Sequence, residues 1–250
     1  MTTSNIRLYS LFFCLLFFTF SCKSSDDCDS DHWSYEGSNS PERWHICHPQ
    51  CSGDHQSPID ITDPVSNPEL VPIELNYNEA PIHILNNGHT LQFEYPGGSY
   101  IFIDDKPYEL LQFHFHTAAE HRVEGHQHPM EIHLVHMNTD MDLAVIGIMV
   151  ETGEENEFLQ SFGGSLPQSE GNLLQSSNTV HAEDLFPTSN GYFTYSGSLT
   201  TPGCDELVSW YIMKEPITAS EEQIQMYRNI MGGNFRPVQS LNERIIQVFE

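Results

Sequence analysis

His114 and His116 flank a single phenylalanine in Gln112-Phe113-His114-Phe115-His116, and His133 follows in Glu131-Ile132-His133-Leu134-Val135-His136. Imidazoles at these spacings are suited to holding a metal ion. Both segments alternate apolar with polar residues, which is the period of a β-strand. Side chains two apart on a strand share a face, so His114 and His116 point one way while Phe113 and Phe115 point the other. On the second strand Glu131, His133 and Val135 share one face, opposite Ile132 and Leu134. A return through residues 117–130 lays the strands side by side and brings the three rings to one point. Three neutral nitrogens plus one open position is the tetrahedral arrangement expected of a catalytic zinc. A His-x-His pair alone is weak evidence, because most histidines are surface residues or hydrogen-bonded core residues. The third histidine, on an adjacent patterned strand, gives the pattern its weight. His121, His126 and His128 fall in the return and are expected to face solvent, whereas His136 has core-side parity and reads as structural.

The elements that must position these residues are mostly short strands punctuated by Pro, Gly and Asn. Strands are expected at Ile82–Leu85, His89–Tyr95, Tyr100–Ile103 and Leu207–Met213. Leu143–Val150 is continuously apolar, as in a central strand buried on both faces. Helical signals are few. Ser220 is a good N-cap before a segment in which Ile224, Tyr227, Arg228 and Ile230 keep a 3.6-residue period, and Glu154–Phe162 reads as a second short helix. The 250 residues suit one domain with a single large core. The fold class is mostly β (α+β).

The N-terminus differs in character. Arg7 precedes an apolar run from Leu11 to Phe20 that contains Cys14 and ends at Ser21-Cys22. The run is too short to span a bilayer and suits the apolar section of an export signal. A small residue before Cys22 and the polar stretch after it resemble a lipoprotein signal. Residues 1–21 are therefore read as a leader, Cys22 as lipidated, residues 22–31 as a tether and 32–250 as the catalytic domain. Excluding Cys14 and Cys22 leaves Cys28, Cys47, Cys51 and Cys204, an even number suited to an oxidising compartment and open to three pairings. Nine basic residues against 35 acidic give a net charge of −26, which excludes nucleic acid and anionic lipid as partners. A membrane is reached only through the N-terminal lipid. The expected location is the periplasm or cell surface, with a secreted soluble form as the alternative.

Ordered motifs extend the zinc pattern across the chain: His32-Trp33-Ser34-Tyr35-Glu36-Gly37, Gln56-Ser57-Pro58-Ile59-Asp60-Ile61, Asn86-Asn87-Gly88-His89, Leu143-Ala144-Val145-Ile146-Gly147, Tyr195-Ser196-Gly197-Ser198-Leu199-Thr200-Thr201-Pro202 and Asn234-Phe235-Arg236-Pro237. From His32 onward the chain closely resembles the α-class carbonic anhydrases. Thr117 stands where the vertebrate pattern has tryptophan, and the 117–130 return is short. Both features look like the bacterial branch.

The resemblance implies a large twisted, mainly antiparallel central sheet with zinc at the base of a conical cleft. It implies reversible hydration of carbon dioxide to bicarbonate and a proton by zinc-bound hydroxide. The fall in water pKa to ~7 is the reference value of this family itself. Gln112, the Asn234 backbone carbonyl and Glu131 are expected to hold His114, His116 and His133 in turn. Thr200 is expected to orient the hydroxide while donating to Glu120, and His89 to shuttle protons. Thr201 would lie beside bicarbonate, and Val135, Val145, Leu199 and Trp210 would form the apolar wall for carbon dioxide. Cys51 and Cys204 match a disulfide of secreted members, leaving Cys28 and Cys47 for a second bridge. Two other readings compete. His114-Phe115-His116 with Glu120 also fits the His-x-His-x3-Glu of a cupin-type metal oxidase, although the glycines flanking that motif are missing at Tyr108 and Gln127. A catalytically silent anhydrase-like binding domain is the other.

Overall fold

The structure is a computed structural model that describes residues 32–250. The expected leader, the Cys22 lipidation site, the tether and Cys28 lie outside the described residues, and so does the Cys28–Cys47 pairing.

Among the described residues a thirteen-stranded sheet dominates. Its continuous path runs from Leu173–Val180 through Ala80–Asn86, Leu91–Glu94, Lys106–His116, Met130–Met137 and Leu143–Thr152 to Val208–Met213, Tyr192–Gly197, Gln247–Phe249 and Val65–Ser66. The expected strands are all present, with their ends shifted by up to two residues. Most pairs are antiparallel, but the sheet is mixed. Leu143–Thr152 runs parallel to both Val208–Met213 and Ile217–Ala219, and Gln247–Phe249 runs parallel to Val65–Ser66.

Strand Leu143–Thr152 is the apolar centre. Ile146, Ile148 and Val150 enter the larger core cluster, while Val145 and Met149 join a second cluster on the opposite face with Trp210 and Ile212. Period-2 alternation with both parities apolar requires burial on both sides, and that is what is found. The larger core takes Phe113, Phe115, Ile132 and Leu134 from the two histidine strands. Helix Glu157–Gly163 covers it with Phe158, Leu159 and Phe162, and helix Glu221–Met231 with Ile224 and Tyr227. The latter helix starts at Ser220 in a capping box: its side chain accepts from the Gln223 N–H, and the Gln223 side chain returns to the Ser220 N–H. Phe115 packs against Tyr227 with ring centroids 4.7 Å apart. Phe115, between the two histidines, therefore anchors the strand from behind.

His136 is fully buried, as its parity requires. Its Nε2 lies 2.8 Å from the Tyr77 hydroxyl and its Nδ1 3.3 Å from the Ala144 carbonyl. A third cluster of Trp44, Cys51 and Cys204, with Trp33 and Tyr35 against it, closes the N-terminal side. The Cys51–Cys204 disulfide expected from the resemblance lies within it and spans 153 residues of sequence. No helix among the described residues is long and apolar enough to cross a membrane.

Candidate metal centre

Strands Lys106–His116 and Met130–Met137 pair antiparallel with His114 directly opposite His133 and His116 opposite Glu131. A register shift between Leu110 and Gln112 marks a bulge just before this stretch. The three histidine rings stand 4.5, 5.0 and 5.3 Å apart between centroids, and their candidate ligand atoms lie within 4.8 Å of one another.

One nitrogen of each ring is already engaged. His114 Nδ1 is 2.8 Å from Gln112 Oε1, His116 Nδ1 is 2.7 Å from the Asn234 carbonyl, and His133 Nε2 is 2.8 Å from Glu131 Oε1. All three acceptors fix a proton on the engaged nitrogen, leaving a lone pair on His114 Nε2, His116 Nε2 and His133 Nδ1. His116 Nε2 is buried with no hydrogen-bond partner among the described residues. An orphaned buried nitrogen is costly, and a divalent ion at this convergence removes the cost. Burial pushes all three imidazoles below their ordinary range, His116 to about 4. They are neutral donors at neutral pH, as ligation requires. The donor set fits zinc.

Glu131, fully buried, carries more than His133. Its Oε2 accepts the backbone N–H groups of Glu120 and His121, and its Oε1 is also 2.8 Å from His121 Nδ1. Burial alone would raise its pKa, but His121 and His133 outweigh that and hold the carboxyl well below its usual range. A Cβ on Gly147 would sit 2.9 Å from Glu131 Oε1, so the bare backbone there leaves room for the carboxylate.

His121 corrects the sequence reading. It is fully buried rather than exposed, with Nε2 2.6 Å from the Tyr195 hydroxyl, which in turn hydrogen-bonds the Ser57 hydroxyl at 2.9 Å. His128 is also largely covered, with its side chain 12% exposed, and only His126 faces solvent as expected. In both cases the reason is a carboxylate, Glu131 or Glu151, whose position a loop sequence does not reveal.

Glu120 lies over the triad. Its Oε1 accepts the Arg236 backbone N–H at 2.8 Å, and its Oε2 is 3.7 Å from His116 Nε2 and 3.9 Å from His133 Nδ1. Burial outweighs the pull of His133, the Thr200 hydroxyl and the Arg236 N–H and leaves its pKa pushed up to about 7. Oε2 itself accepts no well-formed hydrogen bond among the described residues. The Arg236 guanidinium, also missed in the sequence, is buried and donates to Gln56 Oε1, the Ser57 carbonyl and the Cys51 carbonyl. Gln56 donates in turn to the Cys204 carbonyl. The disulfide, the Arg236 loop and the Glu120–Thr200 pair thus form one connected structure.

A cavity of about 210 Å³ opens over the triad. Val135, Val145, Leu199 and Trp210 form its apolar wall; Thr200, Thr201, Gln112 and His89 also line it, as do Trp33 and Tyr35, which the sequence reading left unassigned. His89 stacks on Trp33 with centroids 3.7 Å apart and planes 9° from parallel. Burial lowers the His89 pKa and Glu170 partly opposes this.

The model of the eukaryotic-type carbonic anhydrase family matches residues 39–250. Among similar proteins, carbonic anhydrase from Pectobacterium atrosepticum is 37% identical over 230 residues, covering 90% of this chain and 94% of the relative. Human carbonic anhydrase 7 is 34% identical, covering 86% of this chain and 96% of the relative. The structure of the α-carbonic anhydrase from Thermovibrio ammonificans with the inhibitor sulfanilamide superposes with a TM-score of 0.83 at 39% identity, over 86% of this chain and 98% of that one. A hyperthermostable carbonic anhydrase from a hydrothermal vent chimney gives 0.84 at 42%, over 88% of this chain and 100% of that one. With near full-length coverage on both sides, this chain belongs to the eukaryotic-type, or α, carbonic anhydrase family.

Proposed function

We propose that this protein catalyses the reversible hydration of carbon dioxide to bicarbonate and a proton, using a zinc ion held by His114, His116 and His133. The observation that carries this reading is the convergence of three lone-pair nitrogens, each on a ring whose other nitrogen is already fixed by a partner. Zinc supplies Lewis-acid activation of water at neutral pH, a chemistry for which this family is itself the reference case.

The chain's own residues do the rest. Gln112, the Asn234 carbonyl and Glu131 fix ring orientation and tautomer. Thr200 accepts the hydrogen of the attacking water and donates its own to Glu120, so that a lone pair of the water oxygen faces the substrate carbon. The Arg236 N–H on Glu120 supports this by favouring the ionised, accepting carboxylate. Carbon dioxide, which is apolar, rests against Val135, Val145, Leu199 and Trp210, and Thr201 lies beside the product. His89, half-buried on the same cavity, takes the released proton and passes it to buffer. The silent-domain alternative is disfavoured because every donor is present and preorganised. The cupin alternative is disfavoured because Glu120 turns to Arg236 and the third converging ligand is His133. Stopped-flow hydration on purified protein tests the proposal. Acceleration that a strong chelator abolishes and zinc restores is the expected result, and a blank rate with zinc-loaded protein overturns it.

We also infer export, with residues 1–21 as leader and Cys22 lipidated. The apolar run Leu11–Phe20 and the buried Cys51–Cys204 bridge, which needs an oxidising compartment, support this. Intact mass of the membrane fraction tests it; a mature chain starting elsewhere without acyl mass overturns the lipidation.

A further inference from the structure

A second cluster of ligand atoms lies on the loop that joins the two histidine strands. Val123 and His126 exchange both backbone hydrogen bonds, at 2.9 and 3.0 Å, and the His128 carbonyl accepts the Ala119 N–H at 3.0 Å. This tight turn sets His126 and His128 beside Glu151, which is fixed in strand Leu143–Thr152 by its pairing with Thr218. His128 Nδ1 is 2.8 Å and His126 Nε2 3.3 Å from the same carboxylate oxygen, Oε2. The rings are 4.5 Å apart and nearly perpendicular, at 83°. The three candidate ligand atoms lie within 4.8 Å of one another, a spacing that one ion can bridge with small side-chain adjustments. None of the three residues lines the catalytic cavity.

We propose that His126 Nε2, His128 Nδ1 and the Glu151 carboxylate form a second divalent-metal site, distinct from the catalytic one. Two imidazoles and one carboxylate select borderline transition ions such as zinc, nickel or copper over magnesium or calcium, which prefer all-oxygen sites. Side-chain exposures of 60% for His126 and 39% for Glu151 leave the remaining positions open to water, so the ion enters without opening the fold. The net charge of −26 concentrates cations at this surface. Bound metal ties the 119–128 loop to the central strand, and through the Ala119 N–H it steadies the backbone next to Glu120 without entering the reaction.

The test is a count of zinc equivalents on the metal-free full chain, by competition with a chromogenic chelator. Wild type is expected to bind two equivalents, one much tighter than the other. His126→Ala/His128→Ala is expected to bind only the tight equivalent with its hydration rate unchanged, and His114→Ala to keep the weaker one. Nickel is expected to compete for the weaker site and magnesium not to. Should the double variant fail to fold, Glu151→Gln is expected to weaken the second equivalent by more than about tenfold. One equivalent in wild type, or two in the loop variant, overturns the proposal. A second equivalent in a protein that does not hydrate carbon dioxide would sink the catalytic reading alone.

Discussion

Glu131→Gln tests the logic of the ligand support most severely. The wild-type carboxylate accepts four donors: His121 Nδ1 and His133 Nε2 on one oxygen, the N–H groups of Glu120 and His121 on the other, all between 2.8 and 2.9 Å. A glutamine offers one accepting oxygen and one donating NH2 in the same space. With the NH2 toward the backbone, two buried N–H groups lose their acceptor at ~1–3 kcal/mol each, a total of ~2–6 kcal/mol. With the NH2 toward the histidines, His133 must present Nε2 as an acceptor, which moves its proton to Nδ1. That is the nitrogen that faces His114 and His116, and a protonated Nδ1 cannot ligate. Zinc affinity then falls by at least the ~10–100-fold typical of a lost ligand partner. The variant therefore loses stability, zinc affinity or both. Urea unfolding of the metal-free protein reads the first and chelator competition the second. A variant within about 0.5 kcal/mol of wild-type stability and within about twofold of its zinc affinity refutes the reasoning, against expected losses several times larger.

Three further outcomes are expected. His89→Ala slows turnover in dilute buffer and imidazole restores it; unchanged turnover in dilute buffer removes His89 from the proton path. Cys51→Ser/Cys204→Ser loses up to ~5 kcal/mol by the chain entropy of a 153-residue loop, read by urea unfolding; an unchanged midpoint contradicts this. His136, buried and neutral, has its pKa lowered from 6.5 to about 3 by burial, with the Ala144 and Leu134 carbonyls opposing. The unfolded chain therefore binds a proton that the folded one refuses. The resulting stability is full above pH ~6.5 and is lost at ~1.4 kcal/mol per unit as pH falls toward 3. In urea unfolding of the metal-free protein, His136→Phe is expected to lack that component of the slope between pH 6 and 4; parallel curves for variant and wild type contradict it.

The candidate ligand set was legible because strand parity is a local property. Phe113, Phe115, Ile132 and Leu134 declare the core face, so His114, His116, His133 and Glu131 are left to share the other. The central strand Leu143–Thr152, a continuous apolar run, and the Ser220 cap were legible from equally local signals. The 117–130 loop has no period, so nothing local distinguishes the buried His121 from the exposed His126; burial there is decided by Glu131, at the start of the next strand, and by Tyr195, which arrives from a distant one. Arg236 lay inside a motif already singled out, yet its role depends on carbonyls more than 170 residues away. The parallel pairing of the central strand with Val208–Met213 is likewise a matter of long-range connection, invisible to alternation alone.

The proposed zinc ion sits where His114 Nε2, His116 Nε2 and His133 Nδ1 converge. Anomalous diffraction at the zinc edge, on crystals of protein loaded with a single equivalent, reads this directly. The dominant peak is expected at ~2.0–2.1 Å from all three of those atoms. A dominant peak elsewhere, or one bonded to Nε2 of His133, contradicts it.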